Sequence, residues 1–420
     1  MTIIVGPTRG ISMHKCVSLA AAVASLFASG ASAASFTPLG DTVPGAVRRP
    51  PEGVSANGGA VVGYAVSGPF RWTSSTGPVS LATLGGPAYG IARDVSADGN
   101  VVVGIDFGAN RSFRWSEAGG TEYLPDRSLD GIEGAFAVSD DGRTTVGFAG
   151  ETAFLWQDDT VSILPTFPQS NRAIAFGISA DGATVVGQAE VAVDGGEAGL
   201  RVHDEAARWR DGGIEALGIL PYGLESQARA ASADGSVIVG FSDVLFFYDG
   251  GEGHRFWEYT EEAFRWTEAT GMVGIGRNAG SVEPYVAGRS SAYDVSADGN
   301  IIAGSATFGR GGGGGAALWI GDSGPLQVYE MLISQGATGL EGWTLDSVEA
   351  ISADGRTIAG DGLYCFENGS CLGQGWTATL DVAVVPAPPA AWLLGTGIAG
   401  LAAWGRKRRE RARTTGFTIS

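Results

Sequence analysis

Lysine is almost missing from this chain. Its two copies, Lys15 and Lys407, lie near the ends. Of 45 acids only Glu410 falls outside residues 34–381, whereas eight of the 27 basic residues do, so the middle carries 19 arginines against 44 acids, a net charge of −25. A surface of that sign repels a phosphate backbone, and no nucleic-acid partner is expected. Histidine is equally scarce: beyond His14 there are only His203 and His254. No Gly-x-Ser-x-Gly elbow accompanies them, so a Ser-His-Asp centre is not expected either. Cysteine is limited to Cys16, Cys365 and Cys371, and two neighbouring cysteines with no histidine beside them make a poor zinc site. Glycine, by contrast, is abundant, with 68 copies among 44% hydrophobic and only 17% charged residues. That composition suits one large all-β unit.

The first 33 residues read as an address. Met13-His-Lys15 is a short basic start, Cys16 to Phe27 an apolar run, and Ala31-Ser-Ala33 a small-residue cleavage site before Ala34. This is the pattern of a secretory signal over 1–33, with Met13 as an alternative start of translation. Cys16 leaves with the signal. Cys365 and Cys371 remain in CFENGSC, and an oxidising compartment favours a disulfide closing that small loop.

The stretch DVSADGNVVVG at 94–104 returns as DVSADGNIIAG at 294–304. Ser-x-(Asp/Asn)-Gly-x-x-x-x-Gly occurs seven times, beginning at Ser55, Ser96, Ser139, Ser179, Ser232, Ser296 and Ser352, with spacings of 41, 43, 40, 53, 64 and 56 residues. Each copy is followed by one tryptophan: Trp72, Trp115, Trp156, Trp209, Trp266, Trp319 and Trp376. Asp-Gly between β-branched residues predicts a hairpin with a type I′ turn, positive φ at both centres. Phe-Arg-Trp segments such as Phe113-Arg-Trp115 predict a third strand, and runs such as Val79 to Leu84, Val161 to Leu164 and Ile214 to Leu217 a fourth. Four strands in 40–45 residues are a propeller blade. The fold expected is therefore an all-β propeller of seven four-stranded blades over 34–381. The last copy is short of a strand, and Phe36-Thr-Pro-Leu-Gly40 precedes the first, so residues 35–40 are expected to complete the seventh blade and close the ring. Leu326 to Ser334 predicts a turn or two of helix, and Gly311 to Gly315 a flexible loop.

Candidate sites lie in two insertions, 190–209 and 243–266, that read as lengthened hairpins between second and third strands. Asp194 and Glu197 in one, with Asp249 and Glu252 in the other, are hard oxygen donors suited to Ca2+ if they converge on one face. A solvated acidic rim is the competing account. Asp94, Asp98 and Asn100, with Asp294, Asp298 and Asn300, lack the spacing of a calcium loop and read as turn caps. Seven tryptophans in repeat register fill layers between blades. Trp257 and Trp343 are out of register, and Trp257 sits in Phe256-Trp-Glu-Tyr259. An aromatic beside carboxylates commonly holds a sugar, so Trp257, Trp343, Tyr259, Glu205 and Glu262 are candidate ligand-binding residues, with core packing the competing account for the tryptophans.

The Ser-Ala-Asp-Gly hairpins, the Phe-Arg-Trp strands and Gly342-Trp-Thr-Leu345 resemble bacterial extracellular repeat proteins of the HAF family, over nearly all of 35–381. That resemblance implies no particular activity. A second resemblance covers 382–420. Val385, Pro386 and Pro388, an apolar span over 390–405, and the cluster Arg406, Lys407, Arg408 and Arg409 are similar to a PEP-CTERM sorting signal. Physically, the span is a short transmembrane helix in the precursor, its basic end held cytoplasmic. The resemblance implies an exosortase-type processing enzyme, a Gram-negative envelope and association with exopolysaccharide and a biofilm matrix. The expectation is thus an exported, non-catalytic protein, at the inner membrane as precursor and then at the cell surface or in the matrix, binding or structuring extracellular polysaccharide. The alternatives are a glycan-active hydrolase or lyase using insertion carboxylates such as Glu205 and Glu262, and a protein-protein scaffold.

Overall fold

The computed structural model describes residues 34–40, 51–125, 133–158, 160–194, 200–249, 255–276, 288–308 and 314–381. Seven four-stranded antiparallel sheets follow one another in chain order. Blades 1 to 6 span 51–80, 90–123, 133–163, 173–218, 226–274 and 290–327. Blade 7 takes three strands from 343–379 and its outermost strand, Ser35–Pro38, from the other end of the chain. Ser35 lies opposite Thr379 and Pro38 opposite Trp376, and the Phe36 ring packs 5.2 Å from Trp343 and 6.0 Å from Trp376. The N-terminal segment therefore closes the propeller by supplying the strand that its last blade lacks. Gln335 ties the two ends of the ring together, its carbonyl accepting from the Ala34 amide at 3.4 Å and its side chain from the Asp381 amide at 2.8 Å.

Each Ser-x-Asp-Gly stretch joins the innermost strand of a blade to the second, but not by a type I′ turn. Only the glycine takes positive φ, as at Gly99 (78°), while Asp98 does not. The serine is what sets the longer loop. Ser96 Oγ donates to Asp98 Oδ1 at 2.8 Å and accepts from the Val101 amide at 2.9 Å, and Asp98 Oδ1 accepts from the Asn100 amide at 3.0 Å. These bonds lock four loop residues around a Gly99 N–H to Ser96 carbonyl turn of 2.9 Å, the geometry of a type I turn followed by a left-handed glycine. All seven serines of the motif are buried.

The loops also bond to one another. Asn57 donates to Ala97, Ala97 to Asp140, Asp140 to Ala180, Asp181 to Ala233, Ala233 to Ala297, Ala297 to Ala353 and Ala353 to Ala56, all backbone N–H to carbonyl at 3.0–3.5 Å. This circuit passes through every blade and satisfies backbone groups that a lone hairpin would leave to water. Between blades, six of the seven repeat-register tryptophans are buried and Trp72 is half-buried. Trp209 Nε1 reaches back to the Pro165 carbonyl (2.7 Å), and Trp319 Nε1 to Ile275 (2.9 Å). The arginine before the repeat tryptophan lies forward over the next blade's tryptophan: Arg114 is 4.5 Å over Trp156 and Arg208 4.5 Å over Trp266.

Three local expectations are corrected. The fourth strand of blade 1 is Gly77–Ser80, after which Leu81–Leu84 turns into a 3-10 helix as Leu81 buries. Gly314 and Gly315 open the third strand of blade 6, Gly314–Ile320, instead of ending a loop, while 311–313 lie outside the described residues. The helix after blade 6 begins at Val328, following a two-residue strand at Leu326–Gln327. The signal segment 1–33 and the sorting segment 382–420, including 390–405, lie outside the described residues. Among the described residues no helix is long and apolar enough to cross a membrane.

Candidate functional site

The second glycine of the motif is fixed by close approach. A Cβ on Gly104 would lie 2.0 Å from the Ile91 carbonyl oxygen of the innermost strand, and in five further blades the same glycine faces a carbonyl at 1.9–2.0 Å. Opposite it the innermost strand carries a β-bulge, an extra residue that slips out of register. Blade 1 has the bulge too, with Gly63 facing Pro51 Cα at 3.0 Å. A bulge re-aims one side chain. The seven bulged residues are Glu52, Arg93, Phe136, Phe176, Arg229, Tyr293 and Glu349, and all are half-buried.

Together they form a ring around the propeller axis. Arg93 Nη1 pairs with Glu52 Oε2 at 2.7 Å and lies 5.1 Å over Phe136. The rings of Phe136 and Phe176 are 5.2 Å apart, and Arg229 lies 5.2 Å over Phe176 and 6.0 Å over Tyr293. Tyr293 and Glu52 both lie in the electrostatic field of Glu349, which completes the circuit. Ser347 Oγ is 2.5 Å from Glu349 Oε1 and 2.6 Å from Asp361 Oδ1. A hydroxyl has one proton to donate, so a proton on one of these carboxyls completes both bonds. Burial, more than the Ser347 bond opposes it, pushes the Glu349 carboxyl up to about 7.

Next to the bulged residue, two blades carry an aspartate. Asp94 accepts from its neighbour Val95 at 2.7 Å and from Val138 of blade 3 at 2.8 Å; Asp294 accepts from Val295 and from Ile351 of blade 7, both at 2.8 Å. Burial raises each to about 7 despite those amides, and Asp94 also feels Asp294 and Asp140. The other copies hold Gly53, Ala137, Gly177, Ala230 and Ala350 there.

The residues singled out from the sequence lie elsewhere. The two insertions are long hairpins, Thr184–Asp194 with Leu200–Arg210 in blade 4 and Val237–Asp249 with Arg255–Thr267 in blade 5. Glu205 bonds His203 Nε2 at 2.7 Å along the same strand. Glu262 is buried in blade 5, beneath Gly274 and Gly276. Tyr259 is exposed, opposite Leu245. Trp257 pairs with Phe247 in strand register, and its side chain lies outside the described residues, as do those of Asp194 and Asp249. Glu197, Glu252 and His254 lie wholly outside them. Trp343 is buried against Phe36 and, at 5.6 Å, Tyr364, so its ring packs blade 7 and presents no platform to a ligand. Among the described residues no three His, Cys, Asp or Glu are grouped to hold a metal. Cys365 and Cys371 are joined by a disulfide across the hairpin of blade 7. The blade 4 insertion is linked to the axis through side chains: Arg172 pairs with Asp204 (2.8 Å), Asp204 accepts from Gln188 (3.0 Å), Gln188 accepts from Gln227, and Gln227 accepts from Arg229 (3.1 Å).

No family model and no curated protein matches the chain. Among solved structures it is similar to the tricorn protease, with 12% identity over 79% of this chain and 34% of that one at a TM-score of 0.46. It is also similar to the β-propeller domain of the Trilobed protease from Pyrococcus furiosus, with 11% identity over 79% of this chain and 92% of that one at a TM-score of 0.43. A third is TolB from Acinetobacter baumannii, with 12% identity, coverage of 75% and 78%, and a TM-score of 0.38. The chain spans about a third of the tricorn protease chain. Identity this low bears on the fold alone.

Proposed function

We propose that this β-propeller is a non-catalytic component of an extracellular polysaccharide matrix, exported through its N-terminal segment and sorted through its C-terminal one. The observation that carries the reading is the axial ring. One backbone device, repeated in seven blades, presents seven positions occupied by two glutamates, two arginines, two phenylalanines and a tyrosine. Flat faces among charged and hydrogen-bonding groups are the means by which proteins hold sugars. The sequence supports the address: the signal pattern with Ala31 and Ala33 before Ala34, and the sorting-signal resemblance of Val385, Pro386, Pro388 and Arg406 to Arg409 for an exosortase-type enzyme. The binding role is preferred over hydrolysis because Glu262 is buried and Glu205 is engaged by His203. Calcium at the hairpin tips remains part of the proposal.

The test is calorimetric titration of the full-length chain with the producing organism's exopolysaccharide, in calcium and then in chelator, with released sugar followed in parallel. Saturable heat without release is the expected result, and its loss in chelator would place calcium in the complex. Sugar release would replace this reading with a hydrolase or lyase, and no heat would reject it.

A protein-docking role is favoured by a separate observation. Exposed large apolar side chains, among them Tyr89, Phe107, Tyr222 and Leu224, occupy the connections opposite the Ser-x-Asp-Gly loops, and among the described residues those loops carry none. A face of that kind is where a partner protein docks.

A further inference from the structure

The two axial cations are not equivalent. Arg93 is ion-paired with Glu52 at 2.7 Å through Nη1, although its buried Nε has no partner among the described residues. Arg229 has no carboxylate within ion-pair distance among the described residues, and its hydrogen bond runs from Nη1 to the neutral amide oxygen of Gln227, 3.1 Å away. Phe176 and Tyr293 flank the guanidinium. Cation–π contacts of that kind form no conventional hydrogen bond, and N–H donors beyond the one on Gln227 stay available to a ligand.

The surrounding charges leave Arg229 uncompensated. Burial disfavours its charged form, and the acids within its field are Glu349 and Glu52. Glu52 is taken by Arg93, and Glu349 is held by Ser347. A half-buried cation without a paired anion gains more from an incoming carboxylate than an exposed one does. Beside Arg229, Phe176 supplies an apolar ring, Phe136, which is stacked on Phe148 at 5.4 Å and lies under Arg93, a second, and the Tyr293 hydroxyl, 3.2 Å from Ser305 Oγ, a polar edge. Gln227 is itself held by Gln188, so the fork is aimed by a fixed partner.

We propose that the axial ring binds a sugar acid, its carboxylate on the in-plane donors of Arg229 and its pyranose ring against Phe136 and Phe176. The sugar rests on the polysaccharide-binding reading above; the acid rests on Arg229 and its neighbours. A free uronate and the terminal uronate of an acidic polysaccharide share this chemistry.

The experiment titrates the full-length chain with D-glucuronate, D-glucose, glutarate and polygalacturonate. Glucuronate is expected to bind about tenfold or more tightly than glucose or glutarate, and Arg229→Gln to remove that advantage while Arg229→Lys retains part of it. Should the variants misfold, phenylglyoxal labelling of the unmodified sequence reads the same contact: saturating glucuronate slows modification of Arg229 and leaves exposed Arg143 unaffected. Glutarate binding as well as glucuronate would overturn the sugar. A folded Arg229→Gln chain that keeps its glucuronate affinity, or undiminished labelling of Arg229, would overturn the site. Polygalacturonate binding that survives Arg229→Gln, with no heat from glucuronate, would reject this inference and leave the matrix reading standing. Glucuronate binding at Arg229 without binding of the producing organism's exopolysaccharide would support the inference and remove the matrix reading.

Discussion

Two regions of each blade, three residues apart in sequence, repeat in opposite ways. In the Ser-x-Asp-Gly loops the backbone and the serine are both constant: the serine is always buried, and its hydroxyl always accepts the amide five residues on. At the bulge the backbone is equally constant, yet the side chain changes from Glu52 to Arg93, Phe136, Phe176, Arg229, Tyr293 and Glu349. What recurs in both columns is what the fold requires. What differs in the second is free to serve a ligand, because seven identical side chains around one axis would make a ring of a single chemistry.

If constant columns carry stability, the largest loss should come from a buried tryptophan. Trp319 is 1% exposed, and Trp319→Ala should cost about 3–5 kcal/mol in denaturant unfolding. Phe136→Ala, at the half-buried axis, should cost clearly less while altering ligand binding. A larger loss from Phe136 than from Trp319 would break the division between the columns.

Within DVSADG the same contrast appears as charge. Asp94 is raised to about 7 by burial, whereas Asp98 is lowered by the Asn100 amide and Ser96. The raised acids, Asp94 and Asp294, keep their protons in the folded state after the unfolded chain has released them. Their stabilising contribution is full below about 4, the unfolded value, and is lost as pH rises through about 7. Lowered acids such as Asp98, Asp141 and Asp234 act oppositely, contributing above the unfolded value and failing as pH falls through the folded one. Thermal melts should therefore show stability falling from pH 5 to 8 by on the order of 2 kcal/mol for each axial acid. Asp94→Ala with Asp294→Ala, the residue three other blades hold there, should lessen that slope by the share of those two acids, leaving the part due to Glu349, and keep the acid limb intact.

Gly240 links the two regions, since a Cβ there would lie 1.9 Å from the Gln227 carbonyl. Gly240→Ala should cost about 2–3 kcal/mol and, by pushing the bulge, displace Arg229. A chain that keeps stability but loses its axial ligand would sharpen the assignment of the bulge to function.

Much of the fold was legible because it is carried by constant columns. Seven serines, glycines and tryptophans in register predicted seven blades, and the short last copy together with Phe36 predicted the closing strand. The turn type was not legible: Asp-Gly alone suggests a two-residue hairpin, and only the buried Ser96 hydroxyl, bonded to both Asp98 and Val101, selects the longer loop. The axial site was missed because a bulge breaks the alternation by which inward residues are counted. One signal was present. The position three before each motif serine holds Glu, Arg, Phe, Phe, Arg, Tyr and Glu, a column of large side chains inside a repeat whose neighbouring positions are mostly small or apolar. The acidic insertions drew attention for the opposite reason, since length and charge are visible in sequence while burial, as at Glu262, is not.

The smallest effect belongs to the loops, and it tests whether serine and aspartate act as one unit. Ser139 Oγ donates to Asp141 Oδ1 at 2.7 Å and accepts from Thr144 at 3.0 Å, and Asp141 accepts from Arg143 at 3.0 Å. Ser139→Ala leaves a buried amide without its acceptor and should cost about 1–2 kcal/mol. Asp141→Ala should cost less, because the Arg143 amide it abandons is exposed to water. Asp141→Asn should cost least, since Asn57 in blade 1 makes the same two bonds, to Ser55 and the Gly59 amide, both at 2.8 Å. If the hydroxyl and carboxylate support one another, the Ser139→Ala and Asp141→Ala losses will sum to more than the double variant shows in denaturant unfolding. Strict additivity would mean that serine alone sets the loop and that the aspartate is kept for the negative charge it places on that face.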